Sequence, residues 1–188
     1  MLKKVVTIGP ESTGKSSLCE QLAKHYNTSW CPEYAREYLT IHGMQYTYED
    51  LLTIANGQVE LEEKYVQWAK SNGQSGNTHT GDLHSPLFID TDMYVMKVWC
   101  EFVFGTCHQF ILDQIATRKY DLYLLCDIDL PWTRDQLREY PEPGPRQRLY
   151  AIYKDIMQNQ STPWVEINGN YQQRIQKAIN VVDDLVKQ

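Results

Sequence analysis

Apolar residues along this chain follow two alternating patterns, short continuous runs and longer stretches in which they recur every three or four positions. The continuous runs predict strands that are buried on both faces of a sheet. They lie at 4–8, 28–31, 87–89, 121–126 and 164–167. The stretches with wider spacing predict helices with one apolar face. Strands that alternate with helices predict an α/β fold, in which a five-stranded parallel sheet carries helices on both faces.

The predicted helices fill the intervals between these strands. Thr47 followed by Asp50 resembles a capping box, which would open the longest helix. The predicted helices begin near 15, cover 33–40, 47–70, 93–104 and 107–119, lie between 148 and 158, and run onward from 171. Glycines among polar residues at 71–85 predict a mobile surface loop rather than a linker, so we expect a single domain over 1–188.

One glycine-bearing stretch fits a phosphate-binding pattern without a mismatch. Gly9-Pro-Glu-Ser-Thr-Gly-Lys-Ser16 matches G-x-x-x-x-G-K-[S/T], with a predicted strand before it and a predicted helix after it. Backbone N–H groups and the positive end of a helix dipole then point at one place, where polyphosphate binds. A chance glycine turn is the alternative, but both flanks argue against it. We therefore predict a P-loop NTPase-type three-layer sandwich that binds ATP.

The positions of this loop have distinct expected roles. Lys15 would place its ammonium between the β- and γ-phosphates, and the Ser16 hydroxyl would ligate Mg²⁺. The residues expected to bind the nucleotide are Gly9, Pro10, Glu11, Ser12, Thr13, Gly14, Lys15, Ser16 and Ser17.

Composition and charge argue against several other classes of protein. The net charge of −6 disfavours a general nucleic-acid binder, which usually presents a basic face to the phosphate backbone. No apolar run approaches the ~18 residues of a membrane span and no signal peptide is visible, so we expect a cytoplasmic protein without a membrane partner. Five scattered cysteines without C-x-x-C spacing predict free thiols rather than a zinc site or disulfides.

Carboxylates follow several of the predicted strands. Ligands of open α/β sheets bind at the carboxyl ends of the strands, so these side chains should gather near the phosphate loop: Glu33, Asp90, Asp92 and Asp127. We expect Asp90 to hold the water shell of Mg²⁺. The alternative is that Asp90 or Asp92 merely caps the next helix, and we expect Asp92 to do so.

Glu33 and Arg36 lie three residues apart, on one face of a predicted helical turn. We predict that Glu33 is the general base for an attacking hydroxyl, held ionised near Arg36, which itself holds the acceptor or its incoming phosphate. Asp90 and Asp92 are the alternative bases. The competing interpretations are a solvated glutamate or an ion pair that only stabilises the turn.

Arginines beside prolines and a glycine at 131–148 predict a closing lid. Phosphoryl transfer needs positive charge around the transferring group and exclusion of water, and a mobile flap supplies both. The candidates are Arg134, Arg138 and Arg146, with Arg146 at the base of the lid helix. A salt-bridged surface helix would explain any one of them about as well.

Other phosphate-loop classes lack their motifs here. The N-K-x-D and D-x-x-G motifs of GTPases are absent, and Asp90 is followed by Thr91 rather than by the glutamate of motor-type ATPases. A small-molecule kinase is therefore the leading interpretation. The alternative is a regulatory ATPase that signals its bound ATP to a partner.

Several blocks of the sequence carry a family resemblance. They are the phosphate loop, Pro32-Glu-Tyr-Ala-Arg-Glu-Tyr38, Phe88-Ile-Asp-Thr-Asp92 with Lys97-Val-Trp99, Asp121-Leu-Tyr-Leu-Leu125 with Asp129-Leu-Pro-Trp132, and Ile167-Asn-Gly169 ahead of Arg174. Over nearly its whole length the sequence resembles the ribosylnicotinamide kinase domain of NadR-type NAD-salvage proteins.

The resemblance implies ATP- and Mg²⁺-dependent phosphorylation of the ribose 5′-hydroxyl of nicotinamide riboside, which gives nicotinamide mononucleotide. It implies that Asn168 and Gly169 lie against adenine. Contacts with the acceptor would fall in the matching blocks, at Glu33, Tyr34, Arg36, Asp92 and Trp99. Another nucleoside or small metabolite is the alternative acceptor.

The sequence departs from the bifunctional family members in one respect. It holds no adenylyltransferase domain and no helix-turn-helix ahead of the kinase region. We therefore expect other chains to supply the next step to NAD and any repressor role. The sequence does not indicate an oligomeric state.

Overall fold

The computed structural model describes residues 2–72 and 85–187, and the predicted mobile loop at 71–85 lies almost wholly outside them. The strands are β1 (Lys4–Ile8), β2 (Trp30–Cys31), β3 (Leu87–Asp90), β4 (Leu122–Cys126) and β5 (Trp164–Ile167). The helices are α1 (Lys15–His25), α2 (Tyr34–His42), α3 (Tyr48–Asn72), α4 (Met93–Phe104), α5 (Gln109–Thr117), α6 (Pro143–Asn159) and α7 (Tyr171–Val186).

The five strands form one parallel sheet in the order β2-β3-β1-β4-β5, which confirms the predicted fold class. Neighbouring residues of a strand point to opposite faces. Val5 accordingly packs with Leu22 and Val182 beneath α1 and α7. Val6 packs with Val95 and Met157 beneath α4 and α6. Both faces of the sheet are therefore covered.

The boundaries of two elements differ from the sequence predictions in an informative way. Strand β2 contains only Trp30 and Cys31, so it begins two residues later than predicted, and α2 continues to His42. Helix α6 begins at Pro143 instead of after 147. Proline suits the first helical turn because the N–H that it lacks has no partner there anyway. The last third of the predicted lid is thus the start of α6, and 131–142 is irregular.

A third cluster packs α2, α3, α4 and α5 together beside the sheet. The predicted capping box opens α3, since Thr47 N–H donates to Asp50 Oδ2 at 2.7 Å and Asp50 N–H donates to Thr47 Oγ1 at 3.3 Å. One glycine inside α3 makes room for a ring of α2, because a Cβ on Gly57 would lie 2.1 Å from Tyr34 Cε1. In the part of the chain that the structure describes, no helix is both long and apolar enough to cross a membrane.

Gly57→Ala should lower the free energy of unfolding by about 1–3 kcal/mol, because the added methyl group displaces the Tyr34 ring. Alanine stabilises a helix by about 1 kcal/mol relative to glycine, so helix propensity alone would predict a gain in stability instead of this loss. Urea unfolding at pH 7 measures it. The matched control is Gly144→Ala in α6, where a Cβ meets nothing within 4 Å. The control should be neutral or slightly stabilising, and equal effects of the two substitutions would contradict the packing argument.

Candidate active site

The phosphate loop connects the end of β1 to the start of α1, as predicted. It passes so close to the end of β4 that a Cβ on Gly9 would lie 2.7 Å from the carbonyl oxygen of Cys126. Gly14 has φ +80°, a conformation that glycine adopts without strain. Within the loop, Lys15 Nζ and Thr13 Oγ1 both donate to the carbonyl of Pro10, at 2.9 and 2.7 Å. An ammonium has three donors, so Lys15 keeps others for a ligand.

A cavity of about 310 Å³ opens beside this loop and contains many of the predicted site residues. The loop, from Gly9 to Ser17, forms one wall, and Glu33 and Arg36 of the β2–α2 region form another. Trp99 of α4 and Arg138 also line the cavity. The structure therefore brings the expected nucleotide loop and much of the expected acceptor site into one space.

Most of the apolar lining of this cavity was not foreseen as site residues. Its members come from α2, α4, α6 and the segments that flank them: Leu39, Met44, Val95, Val98, Phe102, Val103, Leu137, Tyr140, Leu149 and Tyr153. In the sequence these residues follow the same spacing as core-facing positions, so the pattern alone does not distinguish a cavity wall from a packed core. We call this part of the cavity the acceptor compartment.

Asp90 ends β3 beside the phosphate loop, and its side chain is unusual. The residue is 1% exposed, and within the described ranges neither carboxylate oxygen has a hydrogen-bond partner. Burial, and next the charge of Glu33, raise the pKa of Asp90 to about 6, while Lys15 and Ser16 act in the opposite direction. A buried carboxylate without a partner, close to the Ser16 hydroxyl, suits a hard cation.

These two residues would not hold a metal ion by themselves. Among residues 2–72 and 85–187 there is no group of three His, Cys, Asp or Glu side chains that could hold one. Mg²⁺ typically keeps several waters and takes one or two protein ligands plus phosphate oxygens. The donor set of Ser16 and Asp90 therefore fits an ion that arrives with a nucleotide.

Asp92 caps α4, as expected. Its Oδ1 accepts from the N–H groups of Tyr94 and Val95 at 3.0 and 3.4 Å, and its Oδ2 accepts from the Tyr123 hydroxyl at 2.7 Å. The residue is 2% exposed and does not line the cavity. Burial raises its pKa to about 6. This geometry favours the capping role over the predicted contact with an acceptor.

Glu33 and Arg36 both line the cavity, but they do not form the ion pair that was considered for them. Arg36 instead contacts Asp135, with Nη2 3.2 Å from Oδ2. The Glu33 carboxylate accepts from the Thr91 hydroxyl at 3.4 Å. The structure therefore does not support the predicted pairing of Arg36 with Glu33, because the guanidinium turns toward the 131–142 segment.

The three arginines of the predicted lid have different surroundings. Arg138 lines the cavity, and its Nη1 donates to Ser12 Oγ at 3.3 Å. Arg146 is buried in the first turn of α6 and donates to the carbonyl of Leu130 at 3.4 Å, so it supports the chain path instead of lining the cavity. Arg134 is exposed and lines a neighbouring pocket that shares Arg138 and Glu139 with the cavity. Only Arg138 therefore occupies the position expected of a charge beside the phosphates.

Tyr34 and the expected adenine loop also lie outside the cavity lining. Tyr34 packs against Gly57, and its N–H donates to Gln58 Oε1 at 2.7 Å. A contact of Tyr34 with the acceptor is not supported by this packing. Gly169 has φ +93°, and Asn168 Oδ1 accepts from Lys177 at 3.1 Å.

A buried arginine connects the expected adenine loop to the phosphate loop. Arg174 is 3% exposed, and its guanidinium donates to the carbonyls of Thr13, Asp127 and Gly169 at 2.9, 2.9 and 2.8 Å. It also pairs with Asp129. The sequence placed Arg174 in a resembling block, but nothing in its spacing assigned this role.

Known proteins resemble this chain in sequence and in fold. A family model described as an AAA domain matches residues 4–174. The Trifunctional NAD biosynthesis/regulator proteins NadR of Salmonella typhimurium and Escherichia coli are each 25% identical over 98% of this chain, which spans 43% of their length. These matches confirm the resemblance inferred from the sequence.

Two crystal structures share the fold at 21% identity. One is of a NadR protein in complex with NR, with a TM-score of 0.74, and the other is of a NadR protein in complex with NAD and AMP-PNP, with a TM-score of 0.69. Each match covers all of this chain and 50% of the solved chain.

Asp90→Asn should stabilise the free protein at pH 7 by roughly 3 kcal/mol, since a folded-state pKa about two units above the unfolded value costs that much when the group is ionised. Below its folded pKa of about 6 the parent takes up the proton. The advantage of the variant should therefore shrink from pH 6 to pH 4.

Urea unfolding in EDTA at several pH values measures this difference. The control is Asp184→Asn, whose side chain is 80% exposed, and it should change stability little at any pH. An Asp90→Asn protein less stable than the parent at pH 7 would show that the carboxylate has stabilising partners.

Proposed function

Because this chain belongs to the AAA domain family, whose model matches residues 4–174, we propose that it is an ATP-dependent kinase of a small molecule. Its substrate would be nicotinamide riboside, phosphorylated on the ribose 5′-hydroxyl to nicotinamide mononucleotide. The observation that carries the proposal is the continuity of one cavity from the phosphate loop to Glu33 and the acceptor compartment.

This continuity favours a transferase over a regulatory ATPase. A hydrolytic enzyme needs room for water beside the γ-phosphate, whereas this cavity of about 310 Å³ extends between aromatic and aliphatic side chains. Apolar walls with a few polar groups are typical of sites for small organic ligands. The charged groups Glu33, Arg36 and Arg138 lie on its walls, where they could orient a hydroxyl and a phosphate.

The relatives support the choice of acceptor and nucleotide. Solved NadR proteins of this fold are in complex with NR in one case and with NAD and AMP-PNP in the other. The chain spans only 43% of the curated NadR proteins. The proposal therefore concerns the phosphorylation step alone.

The proposed reaction assigns one step to each group. The O5′–H of the ribose gives its proton to the Glu33 carboxylate while O5′ forms a bond to the γ-phosphorus and the bond to the β-bridging oxygen breaks, which releases ADP. Lys15 and Arg138 supply positive charge to the phosphate oxygens. Ser16 and Asp90 would hold Mg²⁺, which when bound neutralises charge on the β- and γ-phosphates.

Four further residues are proposed to bind the two substrates. Arg36 and Trp99 line the cavity and would contact the acceptor. Asn168 is proposed to lie with Gly169 against adenine, next to the phosphate loop through the contacts of Arg174.

Incubation with ATP, Mg²⁺ and a panel of nucleosides and vitamins tests the proposal. We expect nicotinamide riboside to give nicotinamide mononucleotide and stoichiometric ADP, detected by chromatography and mass spectrometry. Lys15→Ala should abolish turnover and leave the fold intact, because the Lys15 Nζ donates to the loop carbonyl of Pro10 and takes no part in the apolar core. Faster turnover of another nucleoside would change the acceptor, and ATP hydrolysis independent of every acceptor would favour the regulatory ATPase.

Glu33→Gln should lower kcat by ~10²-fold or more and change the KM of the acceptor much less, because the amide keeps the shape but is not an effective base. The matched control is Glu37→Gln, which changes the same charge on the exposed side of α2. Steady-state kinetics with both substrates varied gives the comparison. Near-normal kcat with a lowered melting temperature would assign Glu33 a structural role and move the base to another carboxylate.

A further inference from the structure

The segment 131–142 joins the end of β4 to α6 without regular structure, and part of it forms a wall of the cavity. Leu137, Arg138, Glu139 and Tyr140 line that wall. An irregular segment has few backbone partners of its own, so other parts of the protein must hold it in place. The residues that hold this segment also determine the position of its wall in the acceptor compartment.

The phosphate loop supplies one set of these contacts through residues that its consensus pattern leaves variable. Glu11 Oε2 accepts from the N–H of Glu139 at 3.0 Å, and Glu11 Oε1 accepts from the N–H of Tyr140 at 2.5 Å. Ser12 Oγ accepts from the N–H of Thr133 at 2.9 Å. The middle of the loop is thus bonded to the segment in two places.

The acceptor side of the cavity supplies the other contacts. Arg36 pairs with Asp135 at 3.2 Å, and the Tyr46 hydroxyl donates to Glu139 at 2.8 Å. The Phe102 and Tyr140 rings meet edge to face, with centroids 5.2 Å apart. The 131–142 segment is therefore held from the nucleotide side and the acceptor side at once.

We propose that Glu11 is a positioning residue that holds the 131–142 wall of the acceptor compartment, and not a ligand of the nucleotide. This inference rests on the proposed function only for the identity of the acceptor. A carboxylate beside bound phosphates would be repelled by them. A carboxylate that accepts hydrogen bonds from two backbone N–H groups is stabilised by the protein instead. The phosphates would then be bound by the backbone N–H groups of the loop, and the Glu11 side chain fixes Tyr140 and Glu139 against the acceptor.

The geometry explains why a carboxylate is needed. The two donors are consecutive backbone N–H groups, and each meets a different oxygen of the same side chain. A glutamine has one oxygen and one NH₂ group, so it can accept from one of the two N–H groups and opposes the other. Glu11→Gln therefore removes one hydrogen bond with almost no change of shape.

Amide hydrogen exchange of the free protein, followed by NMR, tests this role without any acceptor. In Glu11→Gln, at least one of the two amides of Glu139 and Tyr140 should exchange about tenfold faster than in the parent, while amides of β1 and β4 stay unchanged and report an intact fold. Glu20→Gln, an exposed glutamate on α1, makes the same charge change away from the segment and should have no effect. Unchanged exchange at Glu139 and Tyr140 in Glu11→Gln would overturn the proposal.

Kinetics with the acceptor separate positioning from nucleotide binding. Glu11→Gln should raise the KM of nicotinamide riboside about tenfold and change the KM of ATP less than twofold. A rise in the KM of ATP as large as that for the acceptor would make Glu11 a nucleotide-site residue and overturn the proposal. If nicotinamide riboside proves not to be a substrate, the proposed acceptor fails, but the exchange experiment still decides the role of Glu11.

Discussion

The position of the phosphate loop depends on one buried guanidinium. Arg174 donates to backbone carbonyls of Thr13, Asp127 and Gly169, which lie in three separate segments. Burying an arginine costs several kcal/mol unless its N–H groups find partners, and leaving buried carbonyls unpaired costs further. Here the N–H groups of Arg174 and the buried carbonyls are hydrogen-bond partners of one another. The guanidinium therefore fixes the positions of three segments relative to one another: the loop, the end of β4 and the turn before α7. In this arrangement Gly9 can lie against Cys126 because it has no side chain.

The end of β3 shows the opposite principle, a charge that the fold does not stabilise. Desolvation raises the pKa of Asp90, and although the nearby Ser16 hydroxyl opposes this shift, neither carboxylate oxygen has a partner in hydrogen-bond geometry among the described residues. Two residues further on, the equally buried Asp92 has three donors. If stability were the only requirement, both carboxylates would be expected to have donors. The difference assigns Asp92 to the structure and leaves Asp90 available, since proteins accept local instability where function needs it.

The sequence predicted most where one local pattern determines the structure. The five strands follow from apolar runs, the phosphate loop from its fixed glycines and lysine, and the opening of α3 from Thr47 and Asp50. The sequence predictions failed where contacts between distant residues determine the structure. Pro143 lies within the predicted lid, although it begins a helix. The apolar residues of the acceptor compartment have core spacing, and the partner of Arg36, Asp135, lies 99 positions away. No local pattern contains such information.

The carboxylates near the phosphate loop differ in whether the protein supplies them with donors, and this difference bears on how polyphosphate can bind there. Glu11 accepts hydrogen bonds from two N–H groups and Glu139 accepts one from the Tyr46 hydroxyl, so both carboxylates have donors from the protein. In the described part of the chain, Asp90 has no donor and Glu33 accepts only from Thr91, at 3.4 Å. Phosphates beside two such carboxylates add like charge in a poorly solvated place, where repulsion is strong. Lys15 and Arg138 offset part of it, so we infer that the remainder requires a cation brought in with the nucleotide.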